Sequence, residues 1–159
     1  MNEKTGKTKV YIAWIAFTEA VGALSGWITR DGMRLYNQFV EKPPLSPPNS
    51  WFPIVWIVLY ALMGIGAARI YMSKDSPVRT RSLIIYIVQL AFNFAWSIVF
   101  FNLQIFGFAL IWLLILWLMI IIMIVCFAKV DRPAALMQVP YLLWVTFAAY
   151  LNWGVYILN

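Results

Sequence analysis

The sequence has no histidine, one cysteine and few charges, with 12 basic and 6 acidic residues among 159. Without histidine the chain lacks the commonest general base, the Ser-His and Cys-His nucleophile pairs and the usual ligand of haem iron or zinc. The lone Cys126 excludes an intramolecular disulfide and reads as a small apolar residue near the end of an apolar run. Glycine-rich phosphate loops, metal-ligand clusters, repeats and low-complexity tracts are also missing. This inventory serves hydrolysis, phosphoryl transfer and metal catalysis poorly. No catalytic residue, metal site or required cofactor is assigned.

What the chain does have is apolar surface. It is 64% hydrophobic and 18% aromatic, with a mean hydropathy of +0.80, more than a soluble domain of this length can bury. Five runs are long enough to cross about 30 Å of hydrocarbon as helices of roughly twenty residues. They lie near Val10–Thr29, Trp51–Met72, Ser82–Phe101, Ile105–Phe127 and Ala134–Tyr156. The last four are joined by short connections, so neighbouring helices run antiparallel in one all-α bundle forming a single domain over residues 1–159. The first run resembles a signal peptide, with Lys4, Lys7 and Lys9 before it and Ala23-Leu24-Ser25 near its end. Glu19 inside the run, and the bundle's need for this helix, favour its retention.

Orientation is read from Lys and Arg in the loops. Lys4, Lys7, Lys9, Arg69, Lys74, Arg79, Arg81, Lys129 and Arg132 fall on one side of the bundle, against Arg30, Arg34 and Lys42 on the other. Nine against three places the N-terminus in the cytoplasm and the C-terminus outside, in a bacterial plasma membrane. The basic balance therefore speaks of lipid headgroups and not of nucleic acid.

The informative residues are the polar ones where lipid should be. Glu19 falls in the middle of the first run, where an exposed carboxylate costs several kcal/mol, so it faces protein, either as a packing hydrogen bond or in a functional role. Gly22 to Gly26 form a small-xxx-small surface for close helix approach, within the chain or to another subunit. In the third run Gln89, Asn93, Trp96, Ser97 and Phe100 share a face, and in the fifth Pro140, Trp144, Ala148 and Asn152 do. A large indole beside a small Ala leaves space for a neighbouring side chain or for a flat ligand. Between the first two runs, "KPPLSPP" is a stiff strap, because each proline fixes its own φ and extends the residue before it. Pro53 is tolerated in the first turn of the next helix, and Pro53, Trp56, Tyr60 and Gly64 follow it on one face. Trp27, Trp51 and Trp153 stand at segment ends, where an aromatic belt at the headgroups and a pocket role are both open.

In the order "KPPLSPP", "FPIVWIVLYALMG", "QLAFNFAWSIVFF" and "PYLLWVTFAAYLN", with the glycine pair of the first helix, the chain resembles the tryptophan-rich sensory protein and translocator protein family, also called peripheral benzodiazepine receptors. The resemblance covers nearly the whole chain. It implies a five-helix bundle, often a homodimer in membrane lipid, whose first loop acts as a lid over a pocket for porphyrins such as protoporphyrin IX and haem, and for isoquinoline and benzodiazepine drugs. By position the pocket takes Trp56, Tyr60, Asn93, Trp144 and Ala148, with Tyr36, Pro47, Pro48, Trp51, Phe52 and Trp96 beside them. Leu35 replaces the Trp of the loop's usual Trp-Tyr pair, and Trp51 follows the second Pro-Pro by three places where two is common. Arg34 or Lys42 would meet ligand carboxylates at the mouth, while Glu19, Gly22 and Gly26 would serve helix packing. A sensor of tetrapyrrole levels is the first functional reading implied. A transporter of hydrophobic small molecules and a light-dependent porphyrin-degrading enzyme are the others. Helix 5 ends in "NWGVYILN" without a basic residue, so the proposed Leu/Val-Tyr-Lys/Arg cholesterol pattern is absent and weak sterol binding is expected.

Overall fold

The five apolar runs all become helices long enough to cross a membrane, and the described residues contain no strand. The computed structural model describes residues 3–159. In order come α1 (Glu3–Phe39), α2 (Trp51–Met72), α3 (Pro77–Ser97), a π-helical turn at Ile98–Asn102, α4 (Phe106–Val130), the one-turn α5 (Arg132–Leu136) and α6 (Val139–Leu158). Helix α4 turns a continuous apolar side outward, with Ile111, Leu114, Ile115, Leu118, Ile122 and Val125 all exposed. Such a surface has lipid as its natural solvent.

Three boundaries differ from the sequence expectation. Helix α1 overruns Val10–Thr29 at both ends; its 37 residues span about 55 Å. Hydropathy marks where lipid contact stops, not where backbone hydrogen bonding stops. Beyond Thr29 the helix continues as an amphipathic one, exposing Arg30, Asp31, Arg34 and Gln38 and turning Gly32 and Tyr36 inward. A Cβ at Gly32 would stand 2.5 Å from the Phe101 carbonyl oxygen, and the Tyr36 ring lies 5.3 and 5.4 Å from those of Phe100 and Phe101. Helix α3 starts at Pro77, ahead of Ser82, because Ser76 caps it by accepting a hydrogen bond from the Arg79 amide at 3.2 Å. The fifth run, expected as one helix over Ala134–Tyr156, divides into α5 and α6 around Met137 and Gln138. Asp131 caps α5 through the Ala134 amide at 3.0 Å, and Pro140 falls in the first turn of α6.

The end of the bundle away from the strap is closed. Met63, Ala67 and Ile70 of α2 meet Tyr86 of α3, Met123 and Phe127 of α4 and Tyr141 of α6, all with no exposed surface. Helices α1 and α2 cross at Gly64, where an added Cβ would lie 2.7 Å from Ile15 Cα and 3.0 Å from the Trp14 carbonyl oxygen. Arg69 clasps Asp131 with Nε and Nη2 at 2.6 and 3.1 Å. That guanidinium, helped by the Ala134 amide, holds the Asp131 carboxyl below its ordinary range.

Candidate functional site

At the strap end the same helices stand apart around a cavity of about 400 Å³. Small residues make the room: Ser25 and Gly26 of α1, Ser97 at the end of α3 and Ala148 of α6 line it, and a Cβ at Gly26 would have nothing within 4 Å. Aromatic faces form the rest of the wall. Trp56 stacks on Tyr60 at 5.3 Å and 29°, and Trp96 on Phe100 at 5.0 Å and 25°. From Asn37 at the mouth to Glu19 at the floor, the wall follows nineteen residues of α1, a rise of about 27 Å. Ala23 and Ile57 line the cavity and are also exposed, so it reaches the outer face of the bundle between α1 and α2. Glu19 is the only acidic side chain in the wall, which holds no Lys or Arg among the described residues.

Beneath the floor lies a chain of buried hydrogen bonds. Tyr60 donates to Asn93 Oδ1 at 2.9 Å, Asn93 Nδ2 donates to the Tyr141 hydroxyl at 2.9 Å, and Tyr141 donates to Gln89 Oε1 at 2.8 Å. In the wall itself, Trp96 Nε1 donates to Asn152 Oδ1 at 3.2 Å, whose Nδ2 donates to the Phe106 carbonyl at 2.8 Å. These bonds fix the orientation of Tyr60 and Trp96, both of which face the cavity.

The strap, residues 40–50, is fastened at the cavity mouth. The Glu41 amide donates to Asn159 Oδ1 at 3.0 Å, and Asn159 Nδ2 returns a bond to the Glu41 carbonyl at 2.9 Å. Tyr150 donates to the Pro44 carbonyl at 2.8 Å. Pro43 packs so closely on Gly154 that a Cβ there would lie 2.4 Å from the proline ring. Lys42 Nζ donates to Asn37 and Asn49 Oδ1 at 2.9 and 3.0 Å, 5.1 Å from the Tyr36 ring centroid. Both asparagines line the cavity. Partial burial lowers the Lys42 pKa.

Of the residues singled out in the sequence, Tyr36, Phe52, Trp56, Tyr60, Trp96 and Ala148 come together in the wall, with Glu19, Gly22 and Gly26. Asn93 and Trp144 do not line it. Asn93 lies one layer deeper, its amide engaged with Tyr60 and Tyr141. Trp144 backs the wall, 5.9 Å from the Phe52 ring and 6.4 Å from that of Trp56. Trp51 is 58% exposed, because the third place after Pro-Pro turns its ring out. Pro48 instead belongs to the turn that leads into α2, its carbonyl accepting from the Trp51 amide at 3.0 Å, and Pro47 is half-buried in the strap. Arg34 points to solvent beside Asp31, at 3.5 Å. The small-xxx-small surface divides: Gly22 takes the Tyr60 ring, while Gly26 faces open cavity.

Sequence reading missed Thr29, at the end of the apolar run, and Met33 and Asn37, which reach the wall only because α1 continues beyond that run. The inward spacing of Gly32, Met33 and Tyr36 is the signal that would have found them. Among the described residues no three His, Cys, Asp or Glu side chains converge as a metal site. The arrangement suits a flat apolar body held between aromatic faces, with polar groups at mouth and floor.

Residues 14–158 match the family model described as TspO/MBR. The chain is 35% identical to the tryptophan-rich protein TspO of Chlorobaculum tepidum, over 88% of this chain and 89% of that protein. It is 36% identical to the translocator protein of Bos taurus, over 83% and 79% of the two chains. Identity to the tryptophan-rich sensory protein of Cereibacter sphaeroides is also 36%, over 76% and 74%.

Proposed function

Because the chain belongs to the TspO/MBR family of membrane proteins, we propose that it is an integral-membrane receptor that binds porphyrins or similar flat apolar ligands and regulates tetrapyrrole levels. The observation that carries this reading is the aromatic-walled cavity, with its small residues and its opening between α1 and α2. A ring system enters from lipid through that opening and lies against Trp56 and Tyr60. Its carboxylates stay at the mouth, since they do not cross hydrocarbon unpaired, and Lys42 meets them there. The strap acts as a lid, its proline-fixed backbone held by Asn159 and Tyr150. The word "sensory" in the Cereibacter relative's name supports a regulatory role. The name of the bovine relative favours a second reading, movement of the ligand across the membrane. The N-terminus lies in the cytoplasm of a bacterial cell, on the loop-charge asymmetry, and the protein works as a homodimer.

Titration with protoporphyrin IX in detergent, followed by quenching of tryptophan fluorescence, tests the binding. Ala148→Leu fills part of the cavity and weakens binding roughly tenfold, on the order of 1.4 kcal/mol; Lys42→Ala weakens it less. Native-like binding by a folded Ala148→Leu protein puts the ligand elsewhere. Net uptake of porphyrin into sealed vesicles, above that of vesicles without protein, separates transport from sensing.

A further inference from the structure

The cavity's two ends differ in charge. Lys42 stands at the mouth, held by Asn37 and Asn49, and Glu19 stands at the floor. Glu19 is half-buried and makes no hydrogen bond or ion pair among the described residues. The basic residues nearest to it along α1 are Lys9 and Arg30, ten and eleven positions away, which puts them about 15 and 16 Å off. From α2, Tyr60 is the residue at this level, its ring on Gly22 one turn from Glu19, and its hydroxyl is committed to Asn93. From α3 and α6 the lining side chains are Trp96, Ser97, Ala148, Leu151 and Asn152, and Asn152 is bonded to Trp96 and to a backbone carbonyl. The protein therefore places a carboxyl at membrane depth, facing open space beside two stacked rings, with no hydrogen-bond or ion-pair partner among the described residues. Intramembrane carboxyls are rare, because their charge is costly unless something pairs with it. A carboxylate flanked by aromatic faces is the complement of an ammonium group, which gains a charge-assisted hydrogen bond and cation–π attraction together.

We propose that Glu19 is a specificity-determining residue that selects, among flat apolar ligands, those carrying a protonated amine on the edge that lies at the cavity floor. The assignment rests on the reading of this cavity as the ligand site. It deepens that reading by naming the chemistry wanted at the floor: an aromatic body with a cationic or N–H-donating edge inward and, where the ligand has one, an anionic edge outward at Lys42.

Three probes test it by tryptophan quenching on the full chain in one uncharged detergent: aminomethylanthracene, its uncharged N-acetyl derivative, and protoporphyrin IX. The native protein is expected to bind the amine roughly tenfold or more tightly than the acetylated compound. Glu19→Gln is expected to abolish that preference, and Glu19→Asp to keep part of it. If the native protein binds the acetylated compound as well as the amine, the inference is overturned, whatever the variants do. It is equally overturned if a folded Glu19→Gln protein keeps the preference. Protoporphyrin IX binding with no amine preference sinks the Glu19 assignment alone, whereas failure of all three probes to bind sinks the cavity reading with it.

Discussion

The two ends of this bundle are built from the same helices and reach opposite results. Away from the strap, glycine lets backbones touch: Gly64 puts α2 against Ile15 and Trp14 of α1, and Met63, Ala67 and Ile70 of α2 beside it have no exposed surface. Around the cavity at the strap end Ser25, Gly26, Ser97 and Ala148 leave space, because the rings near them are braced on one another and by buried hydrogen bonds. A small residue in a membrane helix thus has no fixed meaning. Opposite a backbone it is a contact, and opposite a buttressed aromatic it is a vacancy. Gly22 marks the boundary, with the Tyr60 ring on it and the cavity beside it.

The sharpest way to break this contrast is to enlarge a glycine of the closed end. Gly64→Leu drives its Cβ into the backbone of α1, which has no flexible end to give way, so a loss of about 3 kcal/mol or more is expected. Thermal unfolding in detergent should show a large drop in midpoint, or yield no monodisperse protein.

A smaller effect is expected at the Arg69–Asp131 pair, which ties α2 to the start of α5 at the closed end. Asp131→Asn keeps a capping side chain but loses the charge, costing about 1–2 kcal/mol for a partly exposed pair. The sign with pH follows from the lowered pKa of Asp131. The native advantage is complete above the unfolded carboxyl value of about 3.9 and fades as pH falls below it through the folded value. Melting midpoints of native and Asp131→Asn proteins should therefore differ at neutral pH and converge in acid.

The smallest effect belongs to the strap. Tyr150→Phe removes its hydroxyl bond to Pro44 and costs about 0.5–1 kcal/mol, with faster proteolysis within residues 40–50 as the more sensitive readout. Unchanged cleavage there would show that Asn159 and the Pro43–Gly154 contact hold the strap without Tyr150.

The sequence made the membrane bundle legible, because apolar runs of sufficient length have few alternatives. It also exposed the faces bearing Trp56, Tyr60, Trp96 and Ala148, since helical spacing survives folding unchanged. It did not reveal which small residue meets a backbone and which meets a void, as with Gly22 and Gly26, for that depends on a partner helix far along the chain. Asn93 illustrates the same limit: its polarity announces an interior position, but only the placement of Tyr141 decides that its amide is engaged below the cavity. The extension of α1 to Phe39 was hidden because charge at Arg30, Asp31 and Arg34 ends the apolar signal while the inward face continues.

The central claim is that the hollow end holds the ligand, and Gly26→Leu tests it most directly, because its new side chain projects into open space and should leave the fold intact. Titration of this variant with protoporphyrin IX, beside the native protein, should show a native-like melting midpoint together with roughly tenfold or greater loss of affinity. Native-like affinity in a Gly26→Leu protein with a native-like midpoint would contradict the account.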